Sequence, residues 1–73
     1  MKQVNTEMVN WAVVCVNEFA RCMDISPKIA FQYLYKYGGI EFLKEFYQAE
    51  HTLSLDNAVE DLGIVCRNRG GHL

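Results

Sequence analysis

The stretch NTEMVNWAVVCVNEFARCMD, residues 5–24, decides the fold. Wound as an α-helix at roughly 100° per residue, it spreads its apolar side chains over an arc of about 200°, twice the usual core-facing width. Met8, Val9, Trp11, Ala12, Val13, Cys15, Val16, Phe19, Ala20, Cys22 and Met23 make up that arc, and Asn10, Asn17, Arg21 and Asp24 hold the remainder. A helix apolar over more than half its girth needs more than one neighbour to cover it. The stretch therefore predicts the central helix of a small all-helical domain, enclosed by the helices that follow. Asn5 is placed to cap it, Val4 to staple onto Val9, and Glu7 to complement its positive end.

Downstream, the stop and start signals are equally local. Ser26-Pro27 pairs a good N-cap with a proline at the first helical position, where the missing N–H costs nothing. The helix that follows, residues 27–37, closes at Gly38, which suits a left-handed C-terminal position. Its expected core face is Ile29, Ala30, Tyr33, Leu34 and Tyr37. Phe31 and Tyr35 project from a different side, beside Lys28 and Gln32.

After the tight Gly38-Gly39 turn, residues 40–51 read as a third helix. Ile40, Phe42, Leu43, Phe46, Tyr47 and Ala49 lie on one half, with His51 ending it. Glu50 falls within that apolar half, an odd place for a carboxylate unless the helix is ending there. Ser54 then caps a fourth helix over residues 55–69, with Leu53 spaced to staple onto Ala58. Its buried stripe is Leu55, Ala58, Val59, Leu62, Val65 and Cys66, Ile64 points away, and Gly70-Gly71 terminates it. The expectation is an all-α fold: one domain, residues 1–73, in a compact bundle of four short helices at about 5–24, 27–37, 40–51 and 55–69, the first one central.

A chain of 73 residues in which 51% are apolar carries more greasy side chains than so small an interior needs, since such a domain buries only about 60% of its unfolded surface. Some of them are expected to face a protein partner or a second copy of the chain. Aromatic residues lead among interface anchors, which makes Phe31 and Tyr35, flanked by Lys28 and Gln32, the expected partner surface. Seven basic residues against nine acidic ones, scattered along the chain, argue against nucleic acid, which demands clustered positive charge. Read as a helix-turn-helix, the second and third helices would present Glu41 and Glu45 beside a lone Lys44.

The apolar run at residues 11–16 is far shorter than the roughly 20 residues a membrane span requires. Three cysteines, an odd number, with no secretory signal imply free thiols in a reducing, cytoplasmic setting. Cys15, Cys22, Cys66 and His51 lack the close CxxC or HxxxH pair of structural zinc sites and read as packing residues. His51, Ser54 and Asp56 have no nucleophile turn or oxyanion donor around them, and Glu41 with Glu45 reads as a solvated pair. No catalytic, cofactor-binding or metal-binding residue is expected.

The region from Ile25 to Gly71 resembles a family of short bacterial proteins known as domain of unknown function 3791. The likeness rests on the Ser26-Pro27 start, YLYKYGGIEFLKEFY at residues 33–47, the Glu50-His51-Thr52-Leu53-Ser54 junction, and the Asp56…Glu60-Asp61 helix ending Arg67-Asn68-Arg69-Gly70-Gly71. The preceding helix is similar too. The resemblance implies a helical bacterial protein without an assigned activity, acting as an antitoxin or accessory to a neighbouring toxin similar to ADP-ribosyltransferases. It carries over no catalytic residue and directs attention to Gly38, Gly39, Glu50 and His51 as structural junctions.

Overall fold

The computed structural model describes residues 6–73, so the Asn5 cap and the Val4 staple lie outside the described residues. Five helices follow one another: α1 (Thr6–Met23), α2 (Pro27–Lys36), α3 (Gly39–Glu45), the single turn α4 (Tyr47–Glu50) and α5 (Leu55–Asn68). There is no strand among the described residues. The architecture is the all-α bundle expected, with four helices of seven or more residues.

The boundaries follow from local chemistry. Ser26 Oγ accepts the Ile29 N–H at 3.2 Å ahead of Pro27, and Ser54 Oγ accepts the Asn57 N–H at 3.2 Å. Each serine thus satisfies a donor that a helix start would otherwise leave unpaired. Tyr37 caps α2, and Gly38 turns the chain at φ 81°, a conformation that costs an L side chain dearly and glycine nothing. α1 closes one residue before the expected end. Asp24 adopts φ 56°, and the Ile25 N–H donates back to the Ala20 carbonyl at 3.0 Å, in the manner of a Schellman cap.

The core gathers Cys15 and Phe19 of α1, Ala30 and Leu34 of α2, Leu43 of α3, and Ala58, Leu62 and Cys66 of α5. α1 packs on α2, α3 and α5, and α3 bridges α2 to α5. α2, α3 and α5 meet closely at Gly39, where a Cβ would lie 3.0 Å from both Cys66 Sγ and Leu34 Cδ2. Phe19 stacks on Tyr33 with ring centres 5.8 Å apart. The Tyr33 hydroxyl accepts the Leu73 N–H at 3.1 Å, which ties the C-terminal residues to α2. The radius of gyration, 11.3 Å, equals that of a compact chain of this length, about 11 Å.

Three expectations are corrected. α1 is not enclosed: only Cys15, Val16, Phe19 and Ala20 are buried, while Val9, Val13 and Val14 are 46%, 51% and 48% exposed and Cys22 is exposed. Its neighbours among the described residues cover one side and the rim of the apolar arc and leave Val9 and Val13 half-exposed. The helix expected over residues 40–51 is broken at Phe46 (φ −108°, ψ 21°). The break turns Phe46 outward onto Phe42, ring centres 5.2 Å apart, and lays Tyr47 edge-on to Trp11 at 5.5 Å. Ile29 and Leu53, expected to pack, are exposed. The buried stripe of α2 is Ala30 and Leu34, and Ile29 lies about 120° round from its centre. Leu53 stands exposed in the loop ahead of the Ser54 cap.

Candidate functional site: an apolar groove beside a cationic cleft

The flank of α1 that carries the half-exposed Val9 and Val13 forms the floor of an open groove of about 260 Å³. Met8, Val9, Ala12, Val13 and Val16 recur at helical spacing along the floor, Phe31 of α2 forms one wall, and Ile40 with the stem of Lys44 of α3 forms the other. Ile40 and Lys44 also border a second, polar cleft of about 500 Å³ lined by Tyr35, Lys36, Tyr37, Gly38, Glu41 and Arg69. The two depressions therefore meet across α3. Phe31 and Tyr35, with ring centres 6.0 Å apart, stand on either side of that meeting line.

Of the residues expected at a partner surface, Phe31 lines the groove and Tyr35 the cleft. Lys28 and Gln32 are exposed on α2 but line neither. The sequence places Met8, Val9 and Val13 in the enclosed apolar arc of α1 and does not single out Lys36, Lys44 and Arg69 as a group. The signal for the first set was the excessive width of the α1 apolar arc in so short a chain. The second set comes from three separate elements, and no local pattern in the sequence joins them.

The junction residues hold structural positions. Ser26, Pro27, Gly38, Ser54 and Gly70 start or stop helices, and Gly39 sits in the packed core junction. His51 caps α4, donates from Nδ1 to the Tyr47 carbonyl at 2.5 Å and stacks on the Tyr47 ring at 4.4 Å. With Ser54 committed to Asn57, His51 and Ser54 each serve a helix end. Glu50 is buried at 8% exposure with Oε1 lacking a hydrogen-bond partner. Burial first, then the hydrogen bond and charge of Asp61, push its carboxyl up to about 7. Burial, with the nearby Glu50 charge, pushes the Cys15 thiol up to about 11, and burial also raises that of Cys66. Such thiols pack as small hydrophobes. Among the described residues no three His, Cys, Asp or Glu side chains gather as a metal ion would need, and no described helix is long and apolar enough to cross a membrane.

Fold and surface together define a small all-α bundle with an apolar groove and an adjoining polar cleft on its surface. The profile of the family described as protein of unknown function (DUF3791) matches residues 10–69, and the chain belongs to that family. The match spans α1 from its second turn through the end of α5, so it takes in the whole cleft and all of the groove lining except Met8 and Val9. No curated protein and no solved structure matches the chain.

Proposed function

We propose that this protein is a non-enzymatic interaction module that docks an apolar face of a partner protein in the α1–α2–α3 groove. The observation that supports this most is the half-exposure of Val9, Val13 and Phe31 around one continuous apolar depression. Scattered exposed hydrophobes are ordinary, whereas grouped ones lining a groove mark interaction surfaces. The free, exposed Cys22 suits a reducing compartment such as the cytoplasm.

A photo-crosslinking amino acid placed at Val13 or at Phe31, compared with one at Glu60 on the exposed side of α5, tests the reading in the native host. Discrete adducts are expected from the groove positions, lost on adding Val9→Glu, and absent from position 60. Equal crosslinking from all three positions, or none from the groove, would contradict it.

A further inference from the structure

We infer that the occupant of this surface is an acidic amphipathic helix of a partner protein, its apolar face in the groove and its carboxylates in the adjoining cationic cleft. This rests on the groove reading above and adds the chemistry and orientation of what fills it.

Lys36, Lys44 and Arg69 border the cleft with Glu41 as its one acidic residue. They are three of the chain's seven basic side chains, in a protein of net charge −2. The ion pair among the described residues is Glu18–Arg21, so none of the three cations is ion-paired with a described carboxylate, and the single Glu41 leaves the cleft lining net positive. Their positions are also constrained. The Arg69 guanidinium lies over Gly38, filling the space a side chain would take there. The Lys36 ammonium sits 5.4 Å from the centre of the Tyr37 ring.

Lys44 is the hinge of the arrangement, with its stem on the groove and its position on the cleft border. Long basic side chains behave this way where apolar surface meets water. A helix laid along α1 with anchors at i, i+3, i+4 and i+7 fits the groove. One end of it then meets the three cations of the cleft. Acidic residues at that end fix the direction of docking, because charges at a rim act on encounter rate and register more than on total affinity. Nucleic acid fits less well. Half of the surface is apolar and offers phosphate nothing, and α3 carries Glu41 and Glu45 in its seven residues.

Binding of fluorescein-labelled synthetic helices of about 18 residues to the full chain, read by anisotropy, tests this. The probes are a leucine-faced peptide ending in glutamates, the same peptide ending in lysines, a serine-faced peptide ending in glutamates, and a short DNA duplex. The leucine–glutamate peptide should bind at least ~10-fold tighter than its lysine counterpart, with the gap narrowing as salt shortens the screening length. The double variant Lys44→Glu, Arg69→Glu should invert that order while its thermal melt, followed by circular dichroism, stays within a few degrees of wild type.

Equal binding of the two leucine peptides, or an unchanged order in the double variant, would overturn the acidic partner. If Val13→Glu still abolished both complexes, the groove reading would survive alone. Failure of every peptide to bind, or binding indifferent to Val13→Glu, would overturn both. Equal or tighter binding of the serine-faced peptide or the duplex would overturn the two-part surface. So would self-association through the groove that excludes the peptides.

Discussion

At the scale of single residues, Glu50 stands out because a carboxyl group is held inside the bundle beside a second acid, Asp61. With the folded carboxyl titrating near 7 and the ordinary value at 4.5, the native state holds a proton that the unfolded chain releases. Its contribution to stability is therefore fully present below pH 4.5 and declines as pH rises through 7. Glu50→Gln keeps the shape and a donor toward Asp61 but removes the titration. Urea unfolding at pH 5 and pH 8 should show wild type losing stability between the two, and the variant losing markedly less, so that the variant is the more stable at pH 8. Parallel behaviour of the two proteins would show that Glu50 is ionised in the native state at both pH values. The sequence did flag this carboxylate as misplaced on an apolar half-helix. It did not reveal Asp61 as the neighbour, because the two stand on separate helices and meet only in the folded bundle.

At the scale of elements, boundaries were readable wherever a side chain or a glycine sets them locally. Ser26-Pro27, Gly38 and Ser54 all do in space what their types suggest, because capping involves atoms only a few residues apart. Ser54→Ala should therefore cost about 1 kcal/mol of unfolding free energy, measured in urea, and no loss would mean the Ser54–Asn57 bond is idle. The break at Phe46 was not readable, since nothing in EFLKEFYQAE interrupts a helical pattern. It arises from tertiary packing, with Tyr47 lodged against Trp11. Gly39 shows the same limit. Its placement after Gly38 suggests only a turn, yet it packs α3 against both Leu34 of α2 and Cys66 of α5. Gly39→Ala forces its methyl against Leu34 and Cys66, and should destabilise by about 1–3 kcal/mol despite alanine's better helix propensity. An unchanged or raised midpoint would mean that the junction has slack.

For the whole molecule, total stability should be about 4–11 kcal/mol by per-residue scaling, so one core truncation is decisive. Leu62, fully buried on α5, should lose about 2–5 kcal/mol as Leu62→Ala, leaving the fold marginal or lost in a urea titration. Retention of wild-type stability would mean α5 does not build the core. The class of fold was evident from the sequence because the helical periodicity is strong in every segment. What failed was the assumption that a wide apolar arc must be wholly enclosed within one chain. The surplus of apolar side chains over available interior pointed to a partner, but the aromatic residues of α2 drew the surface there. The structure gives its floor to α1, with Phe31 as a wall. Whether that floor is covered by the chain itself is the question on which the proposed docking rests. The most direct measurement is the urea unfolding free energy of Val13→Glu against wild type, at protein concentrations low enough to exclude self-association. A change within about 0.5 kcal/mol is expected, as for a surface position. A loss of about 3 kcal/mol or more, the signature of a charge forced into a core, would mean that the flank is sealed and no groove is on offer.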